Sequence, residues 1–188
     1  MNTGTEGIET FIDTIDLQYE ISDEIREFLF DFISNSGCKK IEFANFKMGV
    51  MGIALHNGVM INKMILSRNL EFLLFVIFHE IAHQYQFKKY GKDIMYNCYL
   101  GDISIDEAAK FMKETEEVAD GLAGRKIREL QRNGLIDNNF SSPQFYKNVP
   151  ITSIKGMVNN YREQMREQNI TSPNKVSEFF YNMVKKEL

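Results

Sequence analysis

His79, Glu80 and His83 lie in FVIFHEIAHQYQF, residues 75 to 87, where two imidazoles and a carboxylate interrupt an apolar run. Residues four apart in an α-helix stack one turn apart on one face, so His79 and His83 can aim two nitrogens at a single ion. Glu80 sits about 100° round the helix from His79, within reach of a water on that ion without having to ligate it. Zinc suits these residue types: imidazole is a borderline ligand for a borderline cation, and a nearby carboxylate can take a proton from activated water. The bland alternative is that two histidines merely pack on a buried helix. Apolar residues occupy all sides of the first half, from Phe72 to Phe78, so the helix is expected to be central. Unsatisfied polar groups in such a core cost roughly 1–3 kcal/mol each, and a metal supplies their partners at once.

A catalytic zinc usually has three protein ligands and one open position. The chain holds three histidines, and none follows His83. The third ligand must therefore be a carboxylate, Cys98, or His56 from upstream. The stretch from about Ile105 to Asn133 reads as a helix, with Ser104 and Glu107 forming a capping box and Gly134 closing the pattern. Glu114, Glu116, Glu117 and Asp120 compete within it. Glu114 and Glu117 have Lys110 and Lys113 as helical neighbours and read as solvated charges. Glu116 instead shares its face with Ala109, Met112, Ala119 and Ala123, a small apolar stripe suited to close packing, where a carboxylate needs a cation. Glu116 is accordingly assigned as third ligand. Asp120, one turn on, is assigned to accept the outer N–H of a ligating imidazole and so fix its tautomer. The opposing reading is a surface acidic cluster that keeps the helix soluble.

The elements that must position these residues follow from the rest of the chain. With 188 residues, 44% apolar and 26% charged, the chain is expected to form one domain, 1–188, with a core at about 41–133, an N-terminal helix at 22–36 and a C-terminal helical region at 150–188. The N-terminal helix is capped by Ser22 and carries Ile25, Phe28, Leu29, Phe32 and Ile33 on one side; residues 1–7 read as frayed. Residues 41–46, 48–55 and 59–66 read as short strands of a small antiparallel sheet, with a tight hairpin at His56-Asn57-Gly58. A strand beside the catalytic helix could offer its edge to an extended peptide, or simply cover the helix. The central helix is expected to run from after Ser67 to Gly91, and further helices from Ser153 to Gln168 and after Ser172-Pro173. The fold class is thus α+β, mostly helical, with a buried HExxH helix packed on a second long helix and the small sheet.

The net charge of −4 gives no electrostatic case for nucleic acid. The N-terminus lacks the pattern of a signal peptide, and the apolar run from Leu70 to Phe78 is too short to cross a bilayer, so a cytoplasmic protein without membrane contact is expected. Cys38 and Cys98 fit no CxxC pattern and read as structural thiols. Oligomeric state has no signature here.

The combination of His79-Glu80-Ile81-Ala82-His83 with Glu116-Glu117-Val118-Ala119-Asp120 resembles the gluzincin pattern, HExxH followed by ExxxD, of zinc-dependent peptidases related to thermolysin. Met60-Ile61-Asn62, the apolar helix, and Glu116, Ala119, Asp120 and Ala123 further resemble the ImmA/IrrE type of small intracellular metallopeptidase. Asp120 stands where those proteins commonly have Asn, and Ala82 where they have Gly. The resemblance covers roughly residues 50 to 125. It implies a zincin-like fold, Zn2+, and site-specific cleavage of a regulatory protein in bacteria, their phages or mobile elements. Zinc held by His79, His83 and Glu116, with Glu80 as base and acid, would hydrolyse a peptide bond. A metal-binding regulatory module without proteolytic activity is the alternative. Families of this kind add an oxyanion donor, for which Tyr85, Tyr90, Tyr96, Tyr99, Tyr146 and His56 all stay open.

Overall fold

The computed structural model describes residues 4–47 and 49–185. Each terminus of the central helix has an identifiable chemical cause. Asn69 caps α3 (Leu70–Tyr90), its side chain accepting from Phe72 N at 3.1 Å, and Gly91 ends it at φ 82°, a conformation that costs glycine little. Leu73, Leu74, Phe75, Ile77, Phe78 and Ile81 are fully buried, so α3 is the axis on which the other elements pack.

Alpha-helix α5 (Ile105–Arg132) lies along α3. It begins with the expected capping box, in which Ser104 and Glu107 satisfy each other's backbone N–H groups, and is followed by Gly134 at φ 69°. Ala119 and Ala123 are completely buried, which suits close approach of the two helices, while Ala109, equally buried, packs with Cys98, Ile154 and Val158.

On the other side of α3 is a three-stranded sheet of β1 (Lys40–Ala44), β2 (Gly52–Leu55) and β3 (Gly58–Asn62) in the order β1-β3-β2. The sheet is mixed where a wholly antiparallel one was expected. Strand β2 pairs with β3 antiparallel through the hairpin, but β1 runs parallel to β3, from Lys40 opposite Gly58 to Ala44 opposite Asn62. Leu55 pairs with Gly58, so the two turn residues are His56 and Asn57, the latter at φ 67°. Gln84 of α3 donates to Leu55 O at 2.8 Å and Gly58 O at 3.1 Å, tying the hairpin onto the helix.

All three strands are shorter than their sequence pattern, β1 ending at Ala44 rather than at residue 46. Residues 49–51 of the 48–55 stretch lie outside β2, and Met48 is not among the described residues. The 59–66 stretch turns at Asn62 into a 3-10 turn, Lys63–Ser67, because the Asn62 side chain caps Met64 N at 3.1 Å.

Two helices were not legible. Alpha-helix α1 (Gly4–Tyr19) begins within residues 1–7, the stretch expected to fray, of which 1–3 lie outside the described residues; Ile8, Phe11, Ile12 and Ile15 bury one side of it, and Phe11 stacks on Phe43. Alpha-helix α2 (Asp23–Asn35), capped by Ser22 as expected, adds Ile25, Leu29, Phe32 and Ile33 to the same core. After α3 comes α4 (Lys92–Leu100), also unforeseen, and with α6 (Ile151–Glu167) and α7 (Pro173–Val184) it builds apolar packing beyond the far end of α3. The fold is α+β and mostly helical, and among the described residues no helix is long and apolar enough to cross a membrane. Cys38 and Cys98 are both buried free thiols.

Candidate metal centre

Residues four apart on α3 face residues four apart on α5, and their side chains meet. His79 Nε2 lies 3.1 Å from Glu116 Oε2, His83 Nε2 lies 3.4 Å from the same oxygen, and the two Nε2 atoms are 3.3 Å apart. Ligand atoms of His79, His83 and Glu116 all fall within 4.8 Å of one another, close enough to hold one metal ion. Neither Cys98 nor His56 belongs to this group among the described residues.

The outer nitrogens of the imidazoles define what the inner ones present. His79 Nδ1 lies 2.9 Å from Asp120 Oδ1, an acceptor, so Nδ1 carries the proton. His83 Nδ1 lies 2.8 Å from Gln86 Oε1, while Gln86 Nε2 donates to Thr115 O at 2.8 Å. That second bond fixes the amide orientation, so His83 Nδ1 is also the donor. In the neutral rings both Nε2 atoms therefore bear lone pairs, and they converge with a carboxylate oxygen. Three acceptors at such distances repel unless a cation sits among them. Two nitrogens, each oriented by an outer partner, and one carboxylate oxygen are a donor set whose chemistry fits zinc.

The charges of the site respond to one another. Burial opposes charging His79, yet its hydrogen bonds to Asp120 and Glu116 prevail and raise its pKa to about 10. His83 is likewise raised, Glu116 outweighing burial. Burial works against ionising Glu116, but the two histidines hold its carboxyl well below the usual range. The shifts are reciprocal: the negative charge of Glu116 favours the protonated imidazoles, and they favour the ionised carboxylate.

Glu80 lies in the same buried region, 8% exposed. Its carboxylate accepts from the Ala54 backbone, and burial, reinforced by Glu116 and opposed by His79 and His83, raises its pKa above the ordinary carboxylate range. Gly52 of β2 makes room for it: a β-carbon there would stand 2.7 Å from Glu80 Cγ.

A cavity of about 540 Å3 opens over His79, Glu80, His83 and Glu116. Tyr146 reaches it from the loop after α5, its ring stacked on His79 at 6.4 Å between centroids. The Tyr146 backbone N–H donates to Asp120 Oδ2 at 3.1 Å, and Lys113 Nζ donates to Tyr146 O and Val149 O, each at 2.9 Å. Burial and the neighbouring carboxylates keep the Tyr146 hydroxyl neutral far above the ordinary range. Of the other candidate oxyanion donors, Tyr99 also lines the cavity. Tyr96 does too, but its hydroxyl is engaged with Ser177 and His56 N. Tyr85 donates to Phe32 O, and Tyr85, Tyr90 and His56 lie outside the cavity lining.

All five residues assigned from sequence thus come together, while Glu114 and Glu117 stay on the exposed side beside Lys110 and Lys113. Gln86, Gly52, Lys113 and Tyr161, a further lining residue, escaped the sequence reading. A signal existed for Gln86, a polar residue three positions after His83 and so on the same side of the helix. Comparison with protein-family models, with curated proteins and with solved structures returns no match to this chain.

Proposed function

We propose that the chain is a zinc-dependent endopeptidase, with His79, His83 and Glu116 as the ligands and Glu80 as the catalytic base and acid. The observation that carries this reading is the convergence of three lone-pair atoms beside a separate buried carboxylate in an open cavity. When bound, zinc supplies Lewis acidity, polarising a scissile carbonyl and lowering the pKa of water. Glu80 takes the proton from the attacking water and delivers it to the leaving amine, a role for which a raised carboxyl pKa is suited. Asp120 and Gln86 hold the two imidazoles in the ligating tautomer. Tyr146 is the donor for the developing oxyanion, being neutral and packed against His79.

Strand β2 is the rail for an extended substrate. In its register with β3, Gly52 and Ala54 turn their backbone groups away from β3 and line the cavity; the Ala54 N–H serves Glu80, and the other outward groups of this edge have the geometry of β-augmentation. The resemblance to gluzincins, and to the ImmA/IrrE type in particular, supports a specific regulatory protein as substrate and the cytoplasm as compartment. The deciding experiment is Glu80→Gln. The variant should bind one equivalent of zinc, as measured by elemental analysis, and lose peptide cleavage; an unchanged rate would sink the mechanism.

A further inference from the structure

We infer that the cavity beyond the metal cluster is a recognition chamber for one bulky, uncharged apolar side chain from an internal stretch of polypeptide. The polypeptide rests on the peptidase reading above; the apolar character of the chamber does not.

The walls come from elements outside the metal cluster. Met95 of α4, Phe111 of α5, Met157 of α6, and Phe180 and Met183 of α7 surround the space with aromatic rings and thioethers. Tyr99, Tyr161 and Phe180 pack ring edge against ring face at 4.9 to 5.8 Å between centroids, giving a stiff back wall. The methionines, flexible and polarisable, let the remaining walls adapt to branched or aromatic shapes. At about 540 Å3 the cavity is in the range of sites that enclose a ligand, and it has room for a large side chain beside the backbone that carries it.

Charge decides what is refused. Among the described residues lining the cavity there is no Lys, Arg or Asp, and the only acids are Glu80 and Glu116. A substrate Asp or Lys side chain entering it would meet only His79, His83, Glu80 and Glu116, groups already committed to the cluster, and would be buried at heavy cost. A chain terminus fares no better, because a terminal carboxylate finds no Lys or Arg among the described lining residues and only two histidines already engaged with Asp120, Gln86 and Glu116, and a terminal amine finds only the two glutamates committed to the metal chemistry. An internal segment meets neither obstacle. Laid along β2, it sends alternate side chains to opposite sides, so one residue faces the chamber while its neighbours stay outside.

Methionine methyls report occupancy without any need for catalysis. The metal-free full chain, labelled with 13C at the methionine methyls, is titrated with acetylated and amidated heptapeptides of glycine and serine carrying Phe, Leu, Asp or Lys at the centre. Met95, Met157 and Met183 should shift with Phe and Leu, and binding of Asp and Lys peptides should be weaker by at least about 10-fold. Equal binding of all four peptides, or no shift with any, overturns the inference. The same peptides are then incubated with zinc-loaded protein. Cleavage indifferent to the central residue overturns the chamber and leaves the peptidase reading in place, whereas selective shifts without any cleavage support the chamber and count against the peptidase reading.

Discussion

Gly52 and Glu80 touch so closely that no other residue fits at position 52 without displacing the carboxylate. A β-carbon there would lie 2.7 Å from Glu80 Cγ and 2.8 Å from Oε1, and these are the atoms that set where the proposed base points. Because Gly52 does not have a positive φ, the constraint is one of space rather than backbone conformation. Gly52→Ala should therefore leave zinc stoichiometry and overall fold unchanged while lowering kcat about 10²-fold, the scale of a misplaced general base. Steady-state kinetics beside elemental analysis checks this, and wild-type kcat in the variant would show that Glu80 position does not limit the reaction.

Gln86 bridges His83 Nδ1 and Thr115 O, linking an imidazole of α3 to the backbone of α5. Replacing it by methionine keeps the volume and removes both bonds. The His83 ring then loses its orienting acceptor, and zinc affinity should fall about 10- to 100-fold. Competition with a chromophoric chelator measures the loss; Gln86→Glu, which restores an acceptor, should recover affinity where methionine does not. Asp120→Asn is expected to fall in the same range through His79.

The residues that hold the cluster were readable because they depend on local spacing alone: His79 with His83, and Glu116 with Asp120, are one turn apart on helices whose apolar neighbours mark the buried side. What escaped depends on contacts distant in sequence. The parallel pairing of β1 with β3 has no local signature, since a hairpin pattern constrains only β2 and β3. Lys113 was paired with Glu117 by helical spacing, and that ion pair exists at 2.9 Å, yet the same ammonium also binds carbonyls more than thirty residues on. Helix α1 has its apolar residues at helical spacing, Ile8, Phe11, Ile12 and Ile15, but two glycines and a run of polar residues at its start obscure them.

The metal-free protein should have a distinctive pH dependence. The folded chain raises the His79 pKa to about 10, the gain from Asp120 and Glu116 exceeding the opposing effect of burial. A group with a raised folded-state pKa stabilises fully below its unfolded value, about 6.5 for histidine, and that contribution is lost as pH rises through the folded value. Thermal stability in the presence of chelator should therefore decline between about pH 6.5 and pH 10. With zinc bound, Nε2 is engaged and the decline should be much smaller. Scanning calorimetry of both forms across this range tests it, and parallel profiles would show that zinc does not replace the proton on His79.

Tyr146 and Lys113 separate chemistry from positioning in the loop that closes the site. Tyr146 stacks on His79 and carries the proposed oxyanion donor, whereas the Lys113 ammonium has as its polar partners among the described residues the carbonyls of Tyr146, Lys147 and Val149 and the Glu117 carboxylate. Tyr146→Phe keeps the ring and the backbone bond to Asp120, so zinc affinity and KM should change little while kcat falls about 10²-fold, as for loss of one oxyanion donor. Lys113→Met removes the bonds that gather the loop. Its first effect should be faster limited proteolysis within residues 141 to 150, with a smaller fall in kcat that follows from a less fixed Tyr146 ring. If Lys113→Met lowered kcat as far as Tyr146→Phe without exposing the loop, the ammonium would be acting on the substrate itself, and the assignment of Tyr146 as the donor would fail.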